Sequence, residues 1–352
     1  MEAAKGAMPS SSLEDRSRAV AIWLFSVALL VLAMVVVGGA TRLTGSGLSI
    51  TQWRPISGVV PPMTDQVWAR DFTLYRATPQ YLLLNRGMSL ADFKFIFWWE
   101  WAHRLLARMV GAAFAIPMAV LLLARRFPKR LIGPCFGLLA LGGLQGLVGW
   151  WMVKSGLEAR VSVAPERLAV HLGLALVLFS ALIWTGFEAW FGAAPIAARR
   201  TDRWTSWTAV LGVAILLQCL LGALVAGNHG GLVDADWPLM GGRMAPADYW
   251  RGSLWETIAH GQASTQFDHR IFAYLTFTAS AGVAIGAAWS ASASPAIRRL
   301  AAGLAIAVTL QAGIGVMTLA MGVPLALAIV HQSMAAAVLA TATALAWRSR
   351  RR

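Results

Sequence analysis

Eight apolar runs, each long enough to cross a bilayer, constrain this chain more than any other feature. They fall near 19–39, 95–123, 131–152, 168–190, 205–226, 270–290, 299–320 and 326–347. A span needs roughly 20 apolar residues. In lipid, backbone polar groups must be satisfied within the protein, so runs of this length predict helices. The composition agrees: 58% of residues are hydrophobic and 13% charged, against roughly 25% charged in a soluble domain. A net charge of +14 would suggest nucleic acid in a soluble protein. Here the basic residues sit in short connections: Arg16 and Arg18; Arg125, Arg126, Lys129 and Arg130; Arg199, Arg200 and Arg203; Arg298 and Arg299; and Arg348, Arg350, Arg351 and Arg352. The positive-inside rule accounts for that pattern, and no nucleic-acid partner is expected. It places both termini in the cytoplasm and two long loops, 42–94 and 227–268, outside. The leading residues include Glu2, Glu14 and Asp15, unlike an acid-poor transit peptide. No cleavage pattern follows the first run, which reads as a retained helix. Cys135 and Cys219 lie inside apolar runs and read as small apolar fillers, not as disulfide, zinc or iron–sulfur ligands.

The second run opens with FIFWWEWAHRLLAR, Phe95 to Arg108. It carries Glu100, His103, Arg104 and Arg108, and ionisable groups at membrane depth are costly enough to be read first as functional. Glu100 and His103 are three apart and so share a helix face. TQFDHRIFAYL repeats the pattern, with His269 and Arg270 in place of His103 and Arg104 (269 − 103 = 166). At that offset Glu100 becomes Gln266 and Arg108 becomes Tyr274. LQGLVGWWMVKSG matches LQAGIGVMTLAMG at the same offset, pairing Gln145 with Gln311, Gly149 with Gly315 and Gly156 with Gly322. Gly38-Gly39-Ala40 aligns with Leu221-Gly222-Ala223, and Trp53 with Trp237 after a one-residue slip. The fold expected is an all-α membrane protein: eight transmembrane helices as two parallel-repeat four-helix bundles with pseudo-two-fold symmetry. The halves are 1–195 and 196–352, divided in the polar, Pro-containing stretch 192–203.

His103, His171, His269 and His331 fall at or near the beginnings of the even-numbered spans, which start on the outer side. All four imidazoles are therefore expected near the outer face at similar depth. Facing histidines in a four-helix bundle hold heme iron, so His103 with His171 and His269 with His331 make two heme-sized sites. Zinc would want further ligands. Arg104 and Arg270 either pair with heme propionates or snorkel to the interface. Gly142, Gly143, Gly146 and Gly149 read as a close-packing face, with room for a macrocycle edge as the sharper alternative. Trp98, Trp99 and Trp101 read as interfacial, His229 and His260 as loop residues, and Asp268 as a partner for a nearby cation.

These segments resemble the heme A synthase family: GGATRLTGSGLSITQW (38–53), EWAHR (100–104), LQGLVGWWMV (144–153), the His171 segment, LGALVAG (221–227), DHR (268–270), LQAGIG (310–315) and HQ (331–332). The resemblance covers nearly the whole chain. It implies conversion of heme O to heme A for terminal oxidase assembly, by oxidation of a porphyrin methyl to a formyl group. It implies a resident heme b on His269 and His331; on the propionate alternative above, Arg270 and Arg104 are further cofactor-binding residues. The substrate heme falls to His103 and His171, and the family's essential glutamate maps to Glu100. It also implies a bacterial inner membrane, heme sites toward the periplasm, and heme O synthase and oxidase assembly factors as partners. Homo-oligomerisation stays open. One branch of the family carries a cysteine pair in the first outer loop; with no cysteine between 42 and 94, this chain resembles the other, of proteobacteria and mitochondria. The residues speak for the same asymmetry, because a carboxylate titrates and the amide at its counterpart does not. The competing reading is a membrane diheme b-type electron carrier linked to quinol, which accounts for four histidines and not for Glu100. A transporter would want broken helices with charged pairs at mid-membrane.

Overall fold

A computed structural model describes residues 17–192 and 203–351. The boundary stretch between the halves, with Arg16, Arg199, Arg200 and Arg352, lies almost entirely outside the described residues. Ten helices are used below: α1 Arg18–Leu43, α2 Asp65–Arg76, α3 Pro79–Leu83, α4 Leu90–Leu123, α5 Lys129–Glu158, α6 Pro165–Phe191, α7 Arg203–Gly227, α8 Gln262–Trp289, α9 Pro295–Ala320 and α10 Leu325–Ser349. All but α2 and α3 are long and apolar enough to span a membrane, so the chain is an all-helical, multi-pass membrane protein.

Two of the spans start earlier than their apolar runs. α4 begins at Leu90, not 95, because Ser89 and Asp92 form a reciprocal capping box. α8 begins at Gln262, not 270. Its first turns are polar, but Ala263, Ser264, Thr265 and Gln266 are buried against protein, and the Thr265 hydroxyl donates back to the Gly261 carbonyl at 2.7 Å. Apolar runs mark lipid contact, and a helix continues wherever its backbone bonds do.

α1, α4, α5 and α6 form one ring of neighbours; α7, α8, α9 and α10 form a second. The rings meet through α1 with α10, α6 with α7, and α6 with α10. That pattern is unchanged when the two halves exchange names. An extended apolar cluster runs through both rings, from Leu24 and Leu182 to Ile215, Leu304 and Leu345. Small residues let the helices close up: a Cβ on Gly186 would lie 2.6 Å from the Phe25 ring, and one on Gly173 would lie 2.6 Å from Leu220.

One end of the bundle holds the basic connections. There Ser17 N–H donates to the Ala189 carbonyl, Arg130 pairs with Glu188, and the Trp347 indole donates to Glu188. The other end carries the long loops. α4 has 34 residues, about 51 Å, against a hydrocarbon core of about 30 Å. Its first turns, at the long-loop end, therefore project past the membrane, where Phe93, Ile96 and Phe97 bury against Trp68, Tyr75 and Tyr81 from α2 and α3. Loop 42–94 is thus a folded cap with its own core. Burial pushes the Tyr75 phenol up from its ordinary pKa, and the phenol donates to Gln80 Oε1.

Candidate functional site

The odd and even spans meet at four places where a histidine lies on a glycine. A Cβ added to Gly149 would stand 2.9 Å from His171 Cε1; on Gly222, 3.0 Å from His269 Cε1; on Gly315, 2.8 Å from His331 Cε1. On Gly38 it would stand 3.2 Å from His103 Nε2. His103 and His171 are within electrostatic range of each other, as are His269 and His331. Each expected pair lies within one ring, His103 on α4 with His171 on α6 and His269 on α8 with His331 on α10. Their positions along the helices differ from expectation in one respect. His171, His269 and His331 lie 6, 7 and 6 residues past the helix start (171 − 165, 269 − 262, 331 − 325), whereas His103 lies 13 past it (103 − 90), because α4 projects outward.

The structure also corrects the repeat register. Aligning Gly38-Gly39-Ala40 with Leu221-Gly222-Ala223 pairs Gly39 with Gly222. Packing instead pairs Gly38 with Gly222 (222 − 38 = 184), each against its histidine. Trp53 and Trp237 are then in register without a slip. Gly39 is occupied otherwise: Gln332 from α10 lies against it and donates to the Val35 carbonyl at 2.6 Å. Of the glycine face on α5, only Gly149 approaches another side chain. Cβ atoms at Gly142, Gly143 and Gly146 would meet nothing within 4 Å, so the close-packing expectation fails there.

Three glutamines, each one turn before a contact glycine, hold the histidines. Gln145 Nε2 donates to the His171 carbonyl at 3.0 Å and lies 3.4 Å from its ring Nε2. Gln218 Nε2 donates to the His269 carbonyl at 3.0 Å and lies 3.0 Å from Nδ1. Gln311 does the same to His331, at 3.0 and 3.1 Å. The sequence pairs Gln145 with Gln311 as repeat counterparts without linking either to a histidine, and it missed Gln218; a third Leu-Gln followed by glycine four residues on, at 217–222, was the signal.

Glu100 is 2% exposed, and its carboxylate accepts four hydrogen bonds. Ser49 Oγ and Ile50 N–H donate to Oε2 at 2.8 Å each; Arg104 Nε and Nη2 donate to Oε1 at 3.1 and 2.6 Å. Arg104 also reaches the carbonyls of Ile50 and Gln52, and Arg108 those of Arg54 and Pro55. Arg270 holds the carbonyls of Asp234 and Asp236, at the same offset of 184 from Ile50 and Gln52. Both arginines of the His-Arg pairs therefore clasp a loop backbone, a role the sequence did not suggest. Gln266 donates to the Asp234 carbonyl at 2.9 Å, where Glu100 instead accepts from the loop. Asp268, expected beside a cation, accepts from the Tyr249 hydroxyl at 3.0 Å; burial and that carboxylate push the Tyr249 phenol up.

His229 and His260, expected as plain loop residues, line a cavity of about 360 Å³ at the long-loop end between the halves, with Arg160, Asn228 and Arg251. Arg42 Nη2 reaches across from α1 to His229 Nε2 at 3.0 Å and to the Ala226 carbonyl. His260 Nε2 lies 3.8 Å from Glu166 on α6.

The sequence of this chain matches a family described as cytochrome oxidase assembly protein over residues 21–343. It is 56% identical over 344 residues to a heme A synthase of Caulobacter sp. strain K31, covering 98% of this chain and all of that relative. The heme A synthase of Caulobacter vibrioides is 55% identical over the same length and coverage. That of Agrobacterium fabrum is 45% identical over 301 residues, 85% of this chain and 82% of its own. Matches of this depth along the full bundle, with the four histidine contacts and the buried acid inside them, make this chain a member of the heme A synthase family of cytochrome oxidase assembly proteins.

Proposed function

We propose that this chain oxidises a methyl group of heme O to the formyl group of heme A, binding the substrate between His103 and His171 and a resident heme b between His269 and His331. Residues 1–195 are then the substrate half and residues 196–352 the cofactor half. The observation that carries the reading is the pairing of duplicated histidine–glycine contacts with a single buried carboxylate, Glu100, beside one pair only.

The residues present fit heme. Each half offers two imidazoles from different helices, and each ring lies on a glycine whose missing side chain leaves it room. Buried polar atoms beside the rings have no partner among the described residues: Oε1 of Gln145, Gln218 and Gln311, and Nδ1 of His171. When bound, heme b provides the redox chemistry.

Glu100 holds the charge at this site. Its carboxylate orients Arg104 and fixes the 49–52 backbone over the His103 end of the bundle, which shields the reacting methyl from water. A carboxylate there can also take protons released as the methyl is oxidised. Glu100→Gln removes the charge and replaces one acceptor with a donor aimed at Ile50 N–H or Arg104. The variant is expected to retain heme and to form no heme A, read by heme extraction and mass analysis with and without a heme O supply. Normal heme A from Glu100→Gln overturns the assignment. Ser49→Ala, which loosens the same loop and keeps the charge, is expected to retain partial activity. The basic end of the bundle is assigned to the cytoplasm and the heme sites to the outer side of the bacterial inner membrane.

A further inference from the structure

Three of the four histidines share a device that the fourth lacks. Gln145, Gln218 and Gln311 stand four residues before Gly149, Gly222 and Gly315, and the amide nitrogen of each donates to its histidine's backbone carbonyl while lying within 3.5 Å of at least one ring nitrogen. The position four before Gly38 is Met34, which has no amide. Among the described residues the His103 ring has no hydrogen-bond partner. It also meets its glycine differently, presenting Nε2 and Cδ2 to Gly38 where the other three present Cε1.

We propose that His103 is the exchangeable axial ligand of the N-terminal site, and that Gln145, Gln218 and Gln311 lock the other three imidazoles in place. This rests on the heme reading above. An imidazole packed on a glycine, with its backbone carbonyl tied to the neighbouring helix by a glutamine amide, loses little freedom on ligating iron, so its bond persists. One without that tie keeps more freedom and releases iron faster. The asymmetry matches the two duties of the halves. A resident cofactor has both ligands locked, while a substrate that must enter, and a product that must leave, has one locked ligand and one loose.

The test uses the full-length protein purified with heme in both halves. Heme loss to excess apomyoglobin is followed, with each heme identified by extraction and mass. Heme O or heme A is expected to leave the wild type at least tenfold faster than heme b, and the N-terminal heme to show a high-spin fraction by electron paramagnetic resonance. Met34→Gln is expected to slow loss of heme O and heme A by roughly 5-fold, the effect of one added neutral hydrogen bond, remove the high-spin signal and leave heme b loss unchanged. Gln311→Leu is expected to speed heme b loss by a similar factor, and keeps the test decisive if Met34→Gln does not accumulate. Equal loss rates for the two hemes in the wild type overturn the proposal. So does a Met34→Gln protein with unaltered heme O loss and spin state, or a Gln311→Leu protein with unaltered heme b loss. A chain that binds no heme between His103 and His171 overturns the functional reading itself, and this inference with it.

Discussion

A methyl group is the smallest change that separates the two kinds of glycine in these helices. At Gly222 an added Cβ would come 3.0 Å from His269 Cε1, closer than carbon atoms pack, so the ring must move. Overpacking of this kind costs about 1–3 kcal/mol, and here the ligand carries the displacement. Gly222→Ala is expected to reduce bound heme b by roughly tenfold or more, measured by pyridine hemochrome content per chain. Gly142→Ala is the contrast. Its Cβ would meet nothing within 4 Å, and alanine favours a helix over glycine. Heme content is expected unchanged and thermal stability equal or raised; a large loss of heme from Gly142→Ala would show an approach to that face which the packing does not contain.

α4 does the work of two elements. Its membrane half carries His103, and its outer half carries a capping box and the aromatic face that seats α2 and α3. Between them Glu100, Arg104 and Arg108 face the 49–58 backbone at successive turns. This ladder locks the outer loop to the helix that ligates, so a change in one is felt in the other. Arg108 donates to two loop carbonyls, and hydrogen bonds from a charged donor contribute about 1.5–3 kcal/mol each. Arg108→Ala is expected to speed proteolysis within 49–60 several-fold in right-side-out vesicles while leaving the helices protected. Unchanged cleavage there would mean that the cap is held by its aromatic core alone. In the second half Tyr274 stands at the position of Arg108 and the loop is held by Arg270 and Gln266 without a third member of this set, which makes the first long loop the better anchored of the two.

The two rings are joined inside the membrane by α1, α6, α7 and α10, and outside it by a polar contact with a pH dependence. His229 is partly exposed, and burial together with the adjacent Arg42 guanidinium lowers its pKa from 6.5. A histidine whose folded pKa is depressed is neutral in the fold where the unfolded chain already binds a proton. Stability is therefore full above about pH 6.5 and falls as pH drops from there toward the lowered value. Protonation places two cations 3.0 Å apart, at the seam between the halves. His229→Asn is expected to flatten the decline in melting temperature between pH 6.5 and 5 relative to wild type, measured in detergent; an identical slope in both proteins would show that other groups carry it.

The sequence by itself determined the eight spans, their division into two similar sets of four, and which four histidines recur at matching places in them. Those follow from lipid, which demands long apolar helices and leaves ionisable side chains inside them conspicuous. It singled out Glu100, one turn from His103, because the repeat supplies its own control, Gln266. Only the tertiary structure decided what each polar group touches. The register of α1 against α7, 184 and not 183, depends on which glycine meets a histidine, and two adjacent glycines in the sequence do not say. The arginines of the His-Arg pairs turned to loop carbonyls because the outer segments fold back over the helix ends, a contact between residues about 50 apart in the chain for Arg104. The glutamine behind each of three histidines, and its absence behind the fourth, is a relation between neighbouring helices. Periodicity along one helix fixes which side a residue lies on, and only the packing of a second helix against that side fixes what it meets.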